Sequence, residues 1–252
     1  MSTVVTTARI AEVSPHSFAR FAGVVYLLYF LTAIAGEILL QQAGISGIGV
    51  VSADAAALAN NLLAHEASFR VGFALSLISL VDYVALTALL YRLLKPVSRS
   101  VALIATFSGL MGLAVQAAGG LFQLAPLVVL RGSASLSAFD EKQVQALALL
   151  ALQLHAQAGS IALVFDGVFL LLIGYLIFRS PFLPRLLGVL VAFAGLGWLT
   201  YLWPPLAREL TPYIQGIGGL AEGTLMLWLL VIGVDGERWQ EQANAGRESV
   251  GS

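Results

Sequence analysis

The chain has 252 residues, of which 59% are hydrophobic and only 11% charged, with a net charge of −1 and no cysteine. A soluble domain carries about a quarter charged residues, and a nucleic-acid or anionic-lipid binder carries basic clusters; both classes are excluded. Disulfides, thiolate zinc sites and a cysteine nucleophile are excluded as well.

The apolar excess falls in blocks of about 20 residues or more, the length that crosses a hydrocarbon core about 30 Å thick. A polar tail over 1–16 leads into a membrane domain over 17–235. Its six spans fall at about 21–40, 71–94, 101–124, 159–178, 186–202 and 214–234. A polar tail over 236–252, rich in Gln, Glu, Gly and Ser, is expected to be disordered. The spans are too long and too continuously apolar for barrel strands, and unpaired backbone cannot face lipid, so they are helices. The expected fold is all-α: six antiparallel transmembrane helices in a polytopic membrane protein. Ala33-Ile34-Ala35 resembles a signal-peptidase site. The apolar run continues past it to Leu40 and the polar region before it is long, so span one is expected to be retained.

The connection 95–100 joins spans two and three, and 179–185, with Pro181 and Pro184, joins four and five; both read as tight helix hairpins. The other connections are longer. Within 41–69, Asp54 is placed to cap an interfacial amphipathic helix with Leu58, Leu62 and Phe69 on one side. A second such helix is expected over about 138–154. Residues 143–178 as one helix would number 36, or about 54 Å, so a break near 156–159 is expected. Nine of the thirteen Lys and Arg residues, among them Arg92, Lys95, Arg99, Arg179 and Arg185, fall on the side of the termini. That bias predicts cytoplasmic termini.

Four acids, Glu37, Asp82, Asp166 and Glu222, lie inside these spans without a matching set of Lys or Arg. A charged carboxylate at mid-bilayer costs about 2.5–3.5 kcal/mol on an insertion scale. Such groups are protonated, hydrogen-bonded to one another, solvated in a cavity or neutralised by a cation. Gln116 shares a face of span three with Ser108, Gly112 and Gly120, and small residues flank each acid; such faces let another backbone approach. Ser79 and Ala85 flank Asp82, Gly159 and Ala162 precede Asp166, and Gly219 and Gly223 bracket Glu222. His155 completes the candidate polar cluster of Glu37, Asp82, Gln116, His155, Asp166 and Glu222. His155 lies eleven residues from Asp166, about 16 Å along an unbroken helix. A weaker alternative is a metal site drawn from Glu37, His65, His155 and Glu222. His65-Glu66 lacks the second histidine of a zincin helix, and Gly216-x-Gly218-x-x-Ala221 opens a membrane span with no strand before it, so neither carries cofactor chemistry. No cofactor is expected.

Gly174-Tyr175-Leu176-Ile177-Phe178-Arg179-Ser180, with Phe182-Leu183-Pro184-Arg185 and Leu187-Gly188-Val189-Leu190 after it, is the most distinctive stretch. Together with Arg20-Phe21-Ala22-Gly23, Tyr26-Leu27-Leu28, Ala138-Phe139-Asp140, Gln145-Ala146-Leu147 and Leu227-Trp228-Leu229-Leu230-Val231, it resembles the bacterial membrane family of domain of unknown function 4386, over about residues 17–235. The resemblance implies a six-helix inner-membrane protein. It places acids at Glu37 and Glu222, and an apolar residue where Asp166 stands. The leading functional expectation is a small proton- or cation-linked transporter of permease type using buried carboxylates. The alternatives are an intramembrane enzyme acting on a lipid, with or without a metal, and a non-catalytic scaffold or sensor subunit. The expected partner is the lipid bilayer, with a small molecule, ion or lipid as ligand, no nucleic acid, and room for a homo-oligomer.

Overall fold

A computed structural model describes residues 14–46, 49–50, 54–132 and 138–251. The first thirteen residues of the expected N-terminal tail lie outside them. The helices are α1 (Pro15–Gln42), α2 (Ala55–Ala64), α3 (Glu66–Leu94), α4 (Arg99–Arg131), α5 (Glu141–Arg179), α6 (Arg185–Leu199, extended by a 3-10 turn Thr200–Leu202), α7 (Pro204–Val231) and α8 (Gly236–Gly251). A two-stranded antiparallel ribbon, β1 (Ile45–Ser46) and β2 (Gly49–Val50), follows α1. Gly44, at φ 80°, makes the turn out of α1, a left-handed conformation that suits glycine.

Six helices among the described residues are long and apolar enough to cross a membrane: α1, α3, α4, α5, α6 with its 3-10 turn, and α7. The chain is an all-α polytopic membrane protein. The six close into a ring in which α1 packs on α3, α3 on α4, α4 on α5, α5 on α6, α6 on α7, and α7 back on α1. Lipid tails are as apolar as leucine, so close packing rather than water exclusion holds such helices together, and small residues set how near they come. Two of the helix pairs approach most closely: α1 with α7, where a Cβ on Gly23 would lie 2.4 Å from the Leu230 nitrogen, and α5 with α6. A Cβ on Gly174 would lie 2.4 Å from the backbone nitrogen of Ala192, one on Gly188 would lie 2.5 Å from that of Phe178, and one on Gly195 would lie 2.6 Å from that of Leu171.

Two apolar clusters fill the ring. The larger includes Tyr26, Tyr83, Leu86, Phe169, Ile173, Leu176 and Leu225 and runs from the end nearer the chain termini, at Leu94 and Val234, to Trp198 and Ile214. The smaller joins Leu40, Ile45, Leu58, Leu62, Phe69, Leu127 and Leu152 at the other end, beneath α2. The two ends are called here the terminal end and the α2 end.

Three expectations need correction. The helix begins at Pro15, capped by the Ser14 hydroxyl accepting from the Ser17 amide, so the polar tail is shorter than 1–16. The break near 156–159 is absent: α5 runs unbroken for 39 residues, about 58 Å. The second interfacial helix is therefore the first part of α5. It stands upright because Leu152 packs with Leu58 and Leu62 of α2, and because Asp140 and Gln143 close a reciprocal capping box at its start. The tail expected to be disordered forms α8 from Gly236 to Gly251. The Asp235 carboxylate accepts from the Arg238 amide at its first turn, and Trp239 Nε1 donates to the Leu93 carbonyl at 2.9 Å.

Candidate functional site: a polar cavity between α1, α3, α4 and α5

A cavity of about 230 Å³ lies between the two apolar clusters, walled by α1, α3, α4 and α5. Its polar lining is Tyr29 and Glu37 from α1, Ser76, Ser79 and Tyr83 from α3, Gln116 and Gln123 from α4, and His155 and Asp166 from α5. No Lys or Arg lines it among the described residues. Glycines bring the walls together. Gly36 and Gly72 lie against each other's backbone across α1 and α3, and Gly112 abuts the Ala162 carbonyl, with the Asp166 amide 3.6 Å from where its Cβ would be. The small face of α4 drifts as a 3.6-residue period requires. Gly119, not Gly120, closes on α5, against Ala158, while Gly120 turns toward Phe73 of α3.

The floor is at Asp166. Twelve residues separate it from Phe178, about 18 Å along α5, near the middle of a core about 30 Å thick. The Tyr83 hydroxyl donates to Asp166 Oδ1 at 2.9 Å, and the Tyr83 ring meets Tyr29 at 4.7 Å and Phe169 at 5.9 Å between centroids. One turn of α1 nearer the terminal end, the Tyr26 hydroxyl donates to Glu222 Oε2 at 2.8 Å. Tyr26 is 1% exposed and Glu222 8%, and neither lines the cavity. The molecule thus carries two tyrosine–carboxyl pairs with Tyr29 between them, its ring 6.1 Å from that of Tyr26. One pair faces the cavity and the other is sealed in the core.

The upper part of the cavity holds Glu37 and His155. Gln41 donates to Glu37 Oε1 at 2.9 Å. His155 is 4% exposed, and its Nδ1 lies 3.0 Å from the Gly119 carbonyl oxygen. A carbonyl can only accept, so Nδ1 carries the hydrogen, and Nε2 of the neutral ring is an acceptor. That Nε2 is buried with no partner among the described residues. An unmet buried acceptor costs about 1–3 kcal/mol.

The structure brings Glu37, Gln116, His155 and Asp166 to one cavity. Glu222 stands apart with Tyr26. Asp82 is half-buried between α3 and α1, where it accepts from the Thr32 hydroxyl at 3.2 Å; that same hydroxyl also approaches the Leu28 and Tyr29 carbonyls. His65 is exposed, with Nδ1 on the Asn61 carbonyl. Among the described residues no three His, Cys, Asp or Glu side chains group to hold a metal ion. The weaker expectation of a site from Glu37, His65, His155 and Glu222 is thus not met: Glu37 and His155 line one cavity, but His65 is exposed at the end of α2 and Glu222 is bonded to Tyr26 in the core. Gly219 and Gly223, expected to pack beside Glu222, face open space; Gly218 packs instead, against the Trp198 ring.

Sequence reasoning missed Tyr26, Tyr29, Tyr83, Ser76 and Gln123. The tyrosines carried a usable signal: membrane tyrosines gather at the interfaces, whereas these three lie deep within their spans.

Fold and cavity together define a polytopic membrane protein with a polar-lined cavity among four of its helices. A family model described as Domain of unknown function (DUF4386) matches residues 21–233, and the chain belongs to that family. No curated protein and no solved structure matches it.

Proposed function

We propose that this protein is a small transporter of permease type, seated in a bacterial inner membrane with cytoplasmic termini, that takes a small polar solute into the cavity from the α2 end. Glu37 and Asp166 are its sites for proton or cation linkage, with Tyr29, Tyr83 and His155 the titratable groups facing them. The observation that carries the reading is the cavity itself. Its lining includes two carboxylates and, among the described residues, no Lys or Arg, and it ends at mid-membrane on Asp166. Proton relays in carriers are built from such groups. Beyond Asp166 the buried cluster around Tyr83, Phe169 and Ile173 fills the way to the terminal end, and the smaller cluster around Leu40, Leu62 and Leu152 fills the α2 end, so the arrangement suits the occluded state of an alternating-access cycle, with entry requiring the α2 end to part.

The test is flux in vesicles of the purified protein under an imposed pH or Na⁺ gradient. Asp166→Asn keeps shape and hydrogen bonding but cannot exchange a proton. It is expected to fold normally and to abolish gradient-driven flux. Undiminished flux in both Asp166→Asn and Glu37→Gln removes the linkage role, and absence of flux across a broad solute panel moves the weight to a lipid-acting enzyme. Reporter fusions at Lys95 and Gly132 are expected to read inside and outside respectively; the reverse result overturns the orientation.

A further inference from the structure

Most polar groups of the cavity wall are engaged within the protein. Asp166 accepts the Tyr83 hydrogen and Glu37 that of the Gln41 amide. Ser76 and Ser79 donate to the carbonyls of Gly72 and Ser76 on their own helix. Gln116 and Gln123 of α4 line the same cavity, and neither amide has a hydrogen-bond partner among the described residues. Gln123 is 4% exposed, as buried as a core residue. Among the described residues, the buried side-chain atoms cut off both from a partner and from accessible surface are His155 Nε2 and Trp198 Nε1. The Gln123 amide is not one of them, so it keeps accessible surface, and that surface lies in the cavity it lines. Burying an amide without a partner is costly, and few native side chains do it. Gln116 and Gln123 also share a face of α4: seven residues make about 10 Å of rise and about 20° of rotation.

The chemistry of these open groups selects the ligand. A carboxamide sets a donor beside an acceptor and carries no charge. Its complement is an acceptor beside a donor. Neighbouring hydroxyls supply that pair at every carbon of a polyol, so one chain meets both amides without a fixed register. A solute built on amides meets both only where its own amides recur at that spacing. The Tyr29 hydroxyl, also without a partner among the described residues, donates and accepts in the same neutral way. No Lys or Arg lines the cavity among the described residues, so nothing there neutralises an anion. The space is about 230 Å³, several times the roughly 30 Å³ liquid share of a water, and it takes a molecule of several carbons. Phe73 adds ring surface for the carbon side of such a chain. We propose that the cavity binds an uncharged polyhydroxylated solute, with Gln116 and Gln123 each pairing with neighbouring hydroxyls. The inference rests on the cavity being the solute site proposed above, and names the class of solute.

The experiment is equilibrium binding to the full-length protein in phosphatidylcholine nanodiscs prepared without glycerol. The probes are glycerol, erythritol, xylitol and sorbitol. The controls are triethylene glycol, which has similar length but no neighbouring hydroxyls, with propionamide, n-butylamine and acetate. Affinity is expected to rise along the polyol series, and sorbitol to bind about tenfold or more tighter than any control. Gln116→Leu and Gln123→Leu are each expected to lower sorbitol affinity about tenfold. Leucine at position 123 also removes an open buried amide, so Gln123→Leu without solute is expected to melt at or above the wild-type temperature; an amide that served packing alone would shift melting downward. Wild-type sorbitol affinity in either Leu variant, Gln123→Leu melting below wild type, sorbitol bound no tighter than a control, or no polyol binding by the folded wild type overturns the proposal. Sorbitol binding without gradient-driven flux leaves this inference standing and removes the transport reading; gradient-driven flux of another solute without polyol binding does the reverse.

Discussion

The two faces of α5 do opposite things. Toward α6, Gly167, Gly174, Gly188 and Gly195 let two backbones touch, and no side chain could be added at Gly174 or Gly188 without displacing the partner helix. Toward α4, α3 and α1, the same helix presents His155 and Asp166 to a cavity. A rigid, dry seam on one side is what allows a polar, partly hollow arrangement on the other. A buried acid gains a defined position only if the helix carrying it cannot shift, and membrane packing supplies that through close backbone contact rather than through hydrophobic force.

The largest expected effect comes from prising the seam open. Gly174→Val or Gly188→Val places atoms within backbone contact distance. Overpacking costs about 1–3 kcal/mol even where neighbours can yield, and here they are main chain. These variants are expected to lose the folded species by size-exclusion and thermal melting. Gly216→Val and Gly219→Val on α7, where nothing lies within 4 Å, are expected to melt like wild type; equal damage from both sets would refute the distinction between seam and open face.

Next comes the comparison of the two tyrosine–carboxyl pairs. Tyr83→Phe and Tyr26→Phe each remove one donor from a carboxyl, for a stability loss of about 1–3 kcal/mol. Only Tyr83→Phe is expected to change flux, because Tyr26 and Glu222 do not line the cavity. If Tyr26→Phe proves as damaging to binding as Tyr83→Phe, the two carboxyl sites act as one unit. Smaller still is the loss from Asp140→Ala, about 1 kcal/mol for an N-cap, read as earlier melting of the α2 end. The smallest is Arg131→Ala. Arg131 and Arg70 both pair with Glu66 at the surface, and such pairs contribute about 0–1 kcal/mol.

The sequence made the spans and the two short turns legible, since length, hydropathy and Pro181 with Pro184 carry that information locally. Asp54 was equally readable: its carboxylate accepts from the Ala56 and Ala57 amides as a cap. What could not be read was anything set by distant packing. The continuity of α5 depends on Leu58 and Leu62 meeting Leu152, partners about ninety residues apart in the sequence. The order of α8 depends on Trp239 finding Leu93; its own Glu, Gln, Ala and Arg content permits a helix but does not anchor one. At the site, spacing placed Glu37, Gln116 and Asp166 within their spans, and put His155 outside span four, on the connection before it. Which acids face the cavity was decided by rotation about each helix axis, and a flat apolar pattern does not encode that.

The contacts of α8 bear on the order in which the molecule is made. Arg238 donates to the Pro181 carbonyl in the α5–α6 turn, Gln242 to the Pro96 carbonyl in the α3–α4 turn, and Trp239 to Leu93. Just before it, the Val231 and Val234 carbonyls accept from Arg20 and His16 at the start of α1. Chains emerge from the ribosome N-terminus first, so both helical hairpins are inserted before the segment that fastens them together has been synthesised. Assembly of this protein therefore has a latch that closes last: a nascent chain halted before residue 236 would hold all its membrane helices yet lack the strap across them, and quality-control proteases would meet it as an unfinished bundle.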